Sequence, residues 1–125
     1  VGYRICDGTS TMTYLPDHEP ALGTGGSPGS PEWTSGLDLA QRTELLIHDA
    51  QYTAEEYAQR VGRGHSRVSD AVDLAAMAGA RRLVTFHHDP AHDDIELDQM
   101  LDLATATAPA GLEVSPGREG MTFRI

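Results

Sequence analysis

The sequence has 125 residues and a mass of 13.4 kDa, the size of one domain. Nineteen acidic against nine basic residues give a formal net charge of −10, which argues against a surface that coats nucleic acid, because phosphate binding needs clustered lysine and arginine. No run of roughly 18 apolar residues occurs, so a membrane-spanning helix is excluded. The one cysteine, Cys6, rules out an internal disulfide and favours a reducing compartment, which predicts a cytoplasmic location.

The first part of the chain predicts a β-hairpin followed by a long loop. Gly2–Cys6 and Thr11–Leu15 are β-prone runs, separated by the turn sequence Asp7-Gly8-Thr9. The segment 19–35 is rich in glycine, proline and serine and cannot bury much apolar surface, so we expect a flexible loop there. This loop is too short to separate two domains, and a single domain is predicted over residues 1–125.

The rest of the chain predicts alternating strands and helices. The predicted helices cover Gly36–Arg42, Thr53–Val61, Ser66–Ala78 and Asp93–Ala108. The predicted strands cover Glu44–His48, Leu83–Phe86, Leu112–Val114 and Met121–Ile125. Such alternation is typical of an α/β layer, and the hairpin makes its sheet mixed.

Polar side chains follow three of the predicted strands. Ligands of open α/β sheets bind beyond the carboxyl ends of strands, so these groups could meet at one edge. Carboxylate oxygens and imidazoles are also the ligands of zinc and manganese sites. A further candidate, His65, lies between a glycine turn and a predicted helix. The strand-end residues are Asp17, His18, His48, Asp49, His87, His88 and Asp89.

Each of these residues also has a purely structural interpretation. A strand-end aspartate or histidine is more often a cap or turn residue than a ligand: Asp17 can stabilise a turn, and Asp49 can cap the following segment. Asp89-Pro90 is an ordinary turn signal, and His65 can be a solvated loop residue. No HxH pair occurs, so the metal site depends on whether distant residues converge.

Four segments in order carry a resemblance to a known family. They are Tyr14-Leu15-Pro16-Asp17-His18-Glu19, Leu45-Leu46-Ile47-His48-Asp49-Ala50, Gly64-His65-Ser66 and Arg82-Leu83-Val84-Thr85-Phe86-His87-His88-Asp89-Pro90. Their order and spacing resemble the C-terminal half of metallo-β-lactamase-fold hydrolases, in the branch of phosphodiesterases that includes ribonuclease Z and cyclic-phosphate hydrolases. The resemblance covers nearly the whole chain. It implies an α/β fold that is half of an αββα sandwich, with a mixed sheet and helices on one face.

The resemblance also implies roles for four residues. Asp17 matches the aspartate that bridges two metal ions, and His87 matches the last histidine ligand of the second metal. His88 is disfavoured as that ligand because side chains alternate in direction along a strand. His65 matches the histidine that contacts the scissile phosphate or assists proton transfer, and Asp49 matches an acidic position that orients such a histidine. The implied cofactors are two divalent ions, zinc or manganese.

The sequence departs from this family in one large respect. The HxHxDH motif of the family's first half does not occur, nor does the ligand histidine that follows it. We therefore expect a fragment of a metal-dependent hydrolase, a phosphodiesterase that acts through a water activated by two metals and has little or no activity alone. The expected partners are the N-terminal half or a second copy of the chain, with a small phosphate ester as substrate and neither membrane nor nucleic acid.

Two other classes of function fit parts of the sequence. One is a non-catalytic α/β interaction module that pairs through an exposed sheet face, since half of a sandwich leaves one apolar face uncovered. Tight zinc binding would favour the enzyme over this module. The other is a phosphate-accepting receiver-like domain, which fits less well because the late strand ends in His87 where that domain needs a lysine.

Overall fold

A computed structural model describes residues 1–21 and 29–125, which contain one five-stranded sheet in the order β1-β2-β3-β4-β5. The strands are β1 (Tyr3–Asp7), β2 (Ser10–Leu15), β3 (Leu45–Asp49), β4 (Arg82–Phe86) and β5 (Glu113–Pro116). β1 and β2 form the predicted antiparallel hairpin, and each later strand runs parallel to the one before it. The predicted mixed α/β sheet is confirmed. Its strand order differs from the 2-1-3-4-5 order of receiver domains.

The predicted helices are present, but the first two are shorter than predicted. They are α1 (Leu37–Ala40), α2 (Ala54–Tyr57), α3 (Val68–Ala78) and α4 (Asp94–Thr107). Thr53 and Glu56 form a capping box at the start of α2, because each side chain accepts a hydrogen bond from the other residue's backbone N–H. Gly79 ends α3 in the left-handed conformation with φ 65°. Within the described ranges, no helix is long and apolar enough to cross a membrane.

The hydrophobic core lies between the helices and one face of the sheet. Leu46 of β3 and Leu83 of β4 are fully buried there, against Leu74 of α3 and Met100 of α4. The small side chains of α3, such as Ala71 and Ala75, let this helix approach the sheet closely. The prediction that Val68–Ala78 packs on one face of a sheet built from these strands is therefore confirmed.

The other face of the sheet has no helix over it in the described part of the chain. Strand pairing places Tyr3 and Ile5 of β1 on this face, and their side chains are 53% and 52% exposed. Phe86 of β4 shares the face, is 38% exposed, and meets the Tyr14 ring edge-on at 5.8 Å. We call this surface the open face; it is apolar and partly exposed to solvent.

One predicted strand is wrong. Residues Met121–Ile125 do not pair in the sheet, and the Arg82 guanidinium donates a hydrogen bond to the Arg124 carbonyl. Met121 and Phe123 instead line a cavity with Val84 of the open face. The apolar residues of this segment alternate, but they lie against part of the open face and do not add a sixth strand to the sheet.

The predicted flexible loop at 19–35 lies partly outside the described residues, which leave out positions 22–28. Both of its described ends are built into the fold. Glu19, Pro20 and Ala21 are buried, and Pro31–Trp33 forms a 3₁₀ turn. The segment between them stays a prediction.

Truncating a side chain should lower the free energy of unfolding by different amounts on the two faces of the sheet. Leu83→Ala removes a fully buried side chain from the helix-covered face and should lower the free energy of unfolding by about 2–5 kcal/mol. Ile5→Ala removes a half-exposed side chain from the open face and should cost less than about 1 kcal/mol. Urea denaturation monitored by circular dichroism measures both values. Equal losses of unfolding free energy in the two variants would contradict the placement of the hydrophobic core on the helix-covered face.

Candidate active site

Parallel pairing brings the carboxyl ends of β2, β3 and β4 to one edge of the sheet. Leu15 of β2 pairs with His48 of β3, and Asp49 of β3 pairs with Phe86 of β4. The residues that follow these pairs therefore lie side by side, although they are far apart in sequence. His65 reaches the same edge from the loop that precedes α3.

The four residues to which the resemblance assigns roles all meet at this edge. Asp17, Asp49, His65 and His87 each place one potential ligand atom within 4.8 Å of those of the other three. His65 Nδ1 lies 2.7 Å from Asp49 Oδ2, and His87 Nδ1 lies 3.5 Å from Asp17 Oδ1. The two imidazole rings stack with their centroids 4.9 Å apart. We refer to these four residues as the four-residue cluster.

Asp49 is the buried member of the cluster, and both of its carboxylate oxygens are occupied. Oδ1 accepts hydrogen bonds from the backbone N–H groups of Ser66, at 2.8 Å, and Gln51, at 3.2 Å. Oδ2 faces His65 Nδ1. Burial raises the pKa of the Asp49 carboxyl, while the bonds from Ser66 and His65 oppose that rise. With its oxygens engaged, Asp49 is suited to orient His65, whose Nε2 remains for other contacts.

His87 enters the cluster through an unusual backbone conformation. It has φ 60°, in the left-handed region that few non-glycine residues adopt, directly after β4 ends. Such strained positions are typical of functional sites. The neighbouring His88 lines a separate cavity with Asp94 and Asp98 of α4, and both of its ring nitrogens are buried without a hydrogen-bond partner among the described residues.

Behind the cluster the buried His48 pairs with the partly buried His18, and no local sequence pattern predicts this pairing. His48 Nδ1–H donates to the Asp49 carbonyl at 2.6 Å, and His18 Nδ1–H donates to His48 Nε2 at 2.8 Å. Burial lowers the pKa of His48 to about 3 and that of His18 to about 4, so both rings are neutral near pH 7. The pair links the backbone beside Asp17 to the backbone of Asp49.

Glu19 is a second residue that sequence reasoning missed. It is 7% exposed, and its Oε1 accepts hydrogen bonds from the Tyr57 hydroxyl at 2.6 Å and the Gly62 N–H at 2.8 Å. Its Oε2 accepts from the Gly64 N–H at 3.0 Å. Glu19 belongs to the first segment of the resemblance, but it also begins the predicted flexible loop, where a buried carboxylate is not expected.

Comparison with known proteins places the sequence near one group of enzymes. No protein-family model matches the chain. The ribonuclease Z of Nostoc sp. is 34% identical over 76 residues, which are 58% of this chain and 24% of that protein. The ribonuclease Z of Gemmatimonas aurantiaca is 43% identical over 51 residues, which are 41% of this chain and 16% of that protein. The chain thus spans less than a quarter of the length of either relative.

Solved structures extend the similarity to nearly the whole chain. The metallo-β-lactamase fold protein YhfI of Bacillus subtilis superposes with a TM-score of 0.69 at 21% identity, over 97% of this chain and 42% of YhfI. The chain has the metallo-β-lactamase fold. The short form of human tRNase Z superposes with a TM-score of 0.59 at 21% identity, over 96% of this chain and 36% of that enzyme. The resemblance to this fold and to its ribonuclease Z branch is confirmed.

The donor atoms of the four-residue cluster fit a divalent metal in a protein of this fold. Two carboxylates and two imidazoles are ligands that zinc and manganese both accept. Asp17 and His87 are the members best able to bind an ion, since the Asp17 side chain is 63% exposed and that of His87 is 34% exposed.

The contact between Asp49 and His65 predicts the tautomer of His65. Because Asp49 Oδ2 accepts from Nδ1, neutral His65 should carry its proton on Nδ1. In Asp49→Asn the side chain can turn an NH₂ group toward this nitrogen, so the Nε2–H form should increase. Long-range ¹H–¹⁵N NMR measures the ratio of the Nδ1–H and Nε2–H tautomers. His92, whose Nε2 lies 3.0 Å from Glu56, serves as an internal control and should not change. An unchanged tautomer ratio of His65 in Asp49→Asn would contradict the orienting role of Asp49.

Proposed function

We propose that the four-residue cluster is part of the active site of a metal-dependent phosphodiesterase. The observation that carries this proposal is the convergence of two aspartates and two histidines within 4.8 Å, at the carboxyl ends of parallel strands in a metallo-β-lactamase fold. The similarity to proteins named ribonuclease Z supports a phosphate ester as the class of substrate.

In this proposal the exposed members of the cluster hold the metal. Asp17 would bridge two divalent ions, zinc or manganese, because one carboxylate can offer an oxygen to each, and His87 would bind one of them. When bound, the ions supply an activated water and positive charge for attack on phosphorus.

His65 is the proposed proton-transfer residue. Its Nδ1 is held by Asp49, so the proton that moves would be carried at Nε2, toward an oxygen of the bound phosphate ester. The hydrogen bonds from Ser66 and Gln51 fix the Asp49 carboxylate, which in turn fixes the ring of His65. This arrangement matches the roles that the resemblance implies for both residues.

The isolated chain should be a poor enzyme. Asp17 and His87 supply two ligands, whereas a zinc ion in proteins takes about four, and a dinuclear site takes more. We therefore expect weak zinc binding and little or no hydrolysis of phosphate esters by the chain on its own.

Zinc titration tests the proposed site. Isothermal titration calorimetry of the isolated chain should show weak zinc binding, and Asp17→Asn should weaken it by at least about tenfold because a ligand oxygen is lost. The matched control is His88→Gln, which changes the histidine next to His87 and should leave zinc affinity within about twofold. Absence of zinc binding in the wild-type chain, or an equal loss in both variants, would contradict the assignment.

The open face supports a second proposal, about the partner of this chain. Tyr3, Ile5 and Phe86 form a partly exposed apolar surface, and such surfaces on soluble proteins usually mark interaction sites. The structural neighbour YhfI is more than twice the length matched here, so the rest of that fold is one candidate for the covering partner. In the isolated chain, a second copy would cover the same face. This surface is also what a non-catalytic interaction module would use.

Assembly of the isolated chain tests this second proposal. Analytical ultracentrifugation should show dimers or larger species at high protein concentration, because pairing buries the open face. Ile5→Arg places a charge on that face and should shift the protein toward monomer. Ile95→Arg is the control, since Ile95 is 68% exposed on α4, away from the open face, and should not change the distribution. A wild-type chain that is monomeric at high concentration would count against the proposal.

A further inference from the structure

We propose that Glu19 is a positioning residue, which holds the Gly62–Gly64 turn so that His65 stays in the four-residue cluster. The inference rests on the proposed function, because it concerns the same site. The Glu19 carboxylate accepts hydrogen bonds from the Tyr57 hydroxyl and from the N–H groups of Gly62 and Gly64. It acts through the backbone of the turn that carries His65.

The contacts of Glu19 show why a carboxylate is needed at this position. Burying a charged carboxylate is unfavourable unless donors replace the lost water. Two backbone N–H groups and the Tyr57 hydroxyl replace it here. Burial and the neighbouring Glu19 carboxylate raise the pKa of Tyr57, so its hydroxyl stays protonated and donates. The carboxylate is therefore held by donors on two different segments of the chain.

The glycine turn depends on an acceptor of this kind. Gly62 has φ 82° and Gly64 has φ 85°, conformations that only glycine adopts without strain. In this arrangement the N–H groups of both glycines point toward the same carboxylate, as in backbone anion-binding nests. Glycine gives the turn many alternative conformations, and Glu19 stabilises the one in which both N–H groups are satisfied.

The same contacts join the two segments that carry Asp17 and His65. Glu19 lies two residues after Asp17, and Gly64 directly precedes His65. A second bond runs in parallel, because the Ser66 hydroxyl donates to the His18 carbonyl. If an ion binds the cluster, the two segments must keep their spacing. By thermodynamic linkage, an intact turn then favours ion binding, and ion binding favours the intact turn by the same factor.

Zinc affinity of a Glu19 variant tests the inference. Glu19→Gln keeps the size of the side chain but presents an NH₂ group to one of the N–H donors. We expect zinc affinity to fall by about tenfold, as for other residues that orient ligands. The matched control is Glu44→Gln, since Glu44 Oε2 likewise accepts a backbone N–H, from Thr11 at 2.7 Å, at the amino ends of the strands. It should keep wild-type affinity, measured at a temperature where circular dichroism shows every variant folded.

Amide hydrogen exchange in the wild-type chain provides a test that needs no folded variant. Saturating zinc should slow exchange at Gly62 and Gly64 by about tenfold, because an ion that favours the intact turn makes opening of the turn less frequent, and should leave the Thr11 amide unchanged. A Glu19→Gln variant with wild-type zinc affinity, or glycine amides that zinc does not affect, would overturn the role of Glu19 and leave the proposed function intact. A wild-type chain that does not bind zinc would overturn both.

Discussion

Parallel pairing of β2, β3 and β4 is the constraint on which the site depends. Parallel strands end at the same edge, so the residues after β2 and β4 meet Asp49 at the end of β3. The crossover helices that parallel strands require also cover one face of the sheet and bury Leu46 and Leu83. The same pairing thus produces the hydrophobic core and the four-residue cluster.

Buried polar groups hold the cluster in place from inside the protein. Asp49 is fixed by two backbone N–H groups, Glu19 by two more, and His48 by the carbonyl of Asp49. Each group has left water, so losing a partner would leave a buried charge or dipole unpaired. Asp17 and His87, the more exposed members of the cluster, are therefore presented by a rigid base.

The site lies at the border of the open face. Strand pairing puts Asp49 and Phe86 on that face, and His87 follows Phe86 directly. A partner that covers Tyr3, Ile5 and Phe86 would therefore also reach the edge where the cluster lies. Under the proposed function, a partner that covers the open face is also placed to supply further ligands to the cluster.

Local signals in the sequence determined most of the secondary structure and the location of the candidate site. Capping boxes, glycine stops and apolar runs identified the helices and the strands β1 to β5, and polar residues at strand ends, with the family resemblance, identified Asp17, Asp49, His65 and His87. Tertiary structure decided the rest. The apolar alternation in Met121–Ile125 accompanies contact with the open face and not strand pairing, because a period-two pattern shows which side chains share a face and does not identify what they contact.

The same limit explains the two supporting groups that the sequence did not reveal. The Glu19 carboxylate meets amides 43 and 45 residues away, and His18 meets a ring 30 residues away. Neither contact leaves a local pattern, since a buried carboxylate in a glycine-rich segment looks like a solvated one until the fold brings its donors to it. Composition and periodicity determined which segments form the layers of this protein; long-range hydrogen bonds between those segments decided how its candidate site is held.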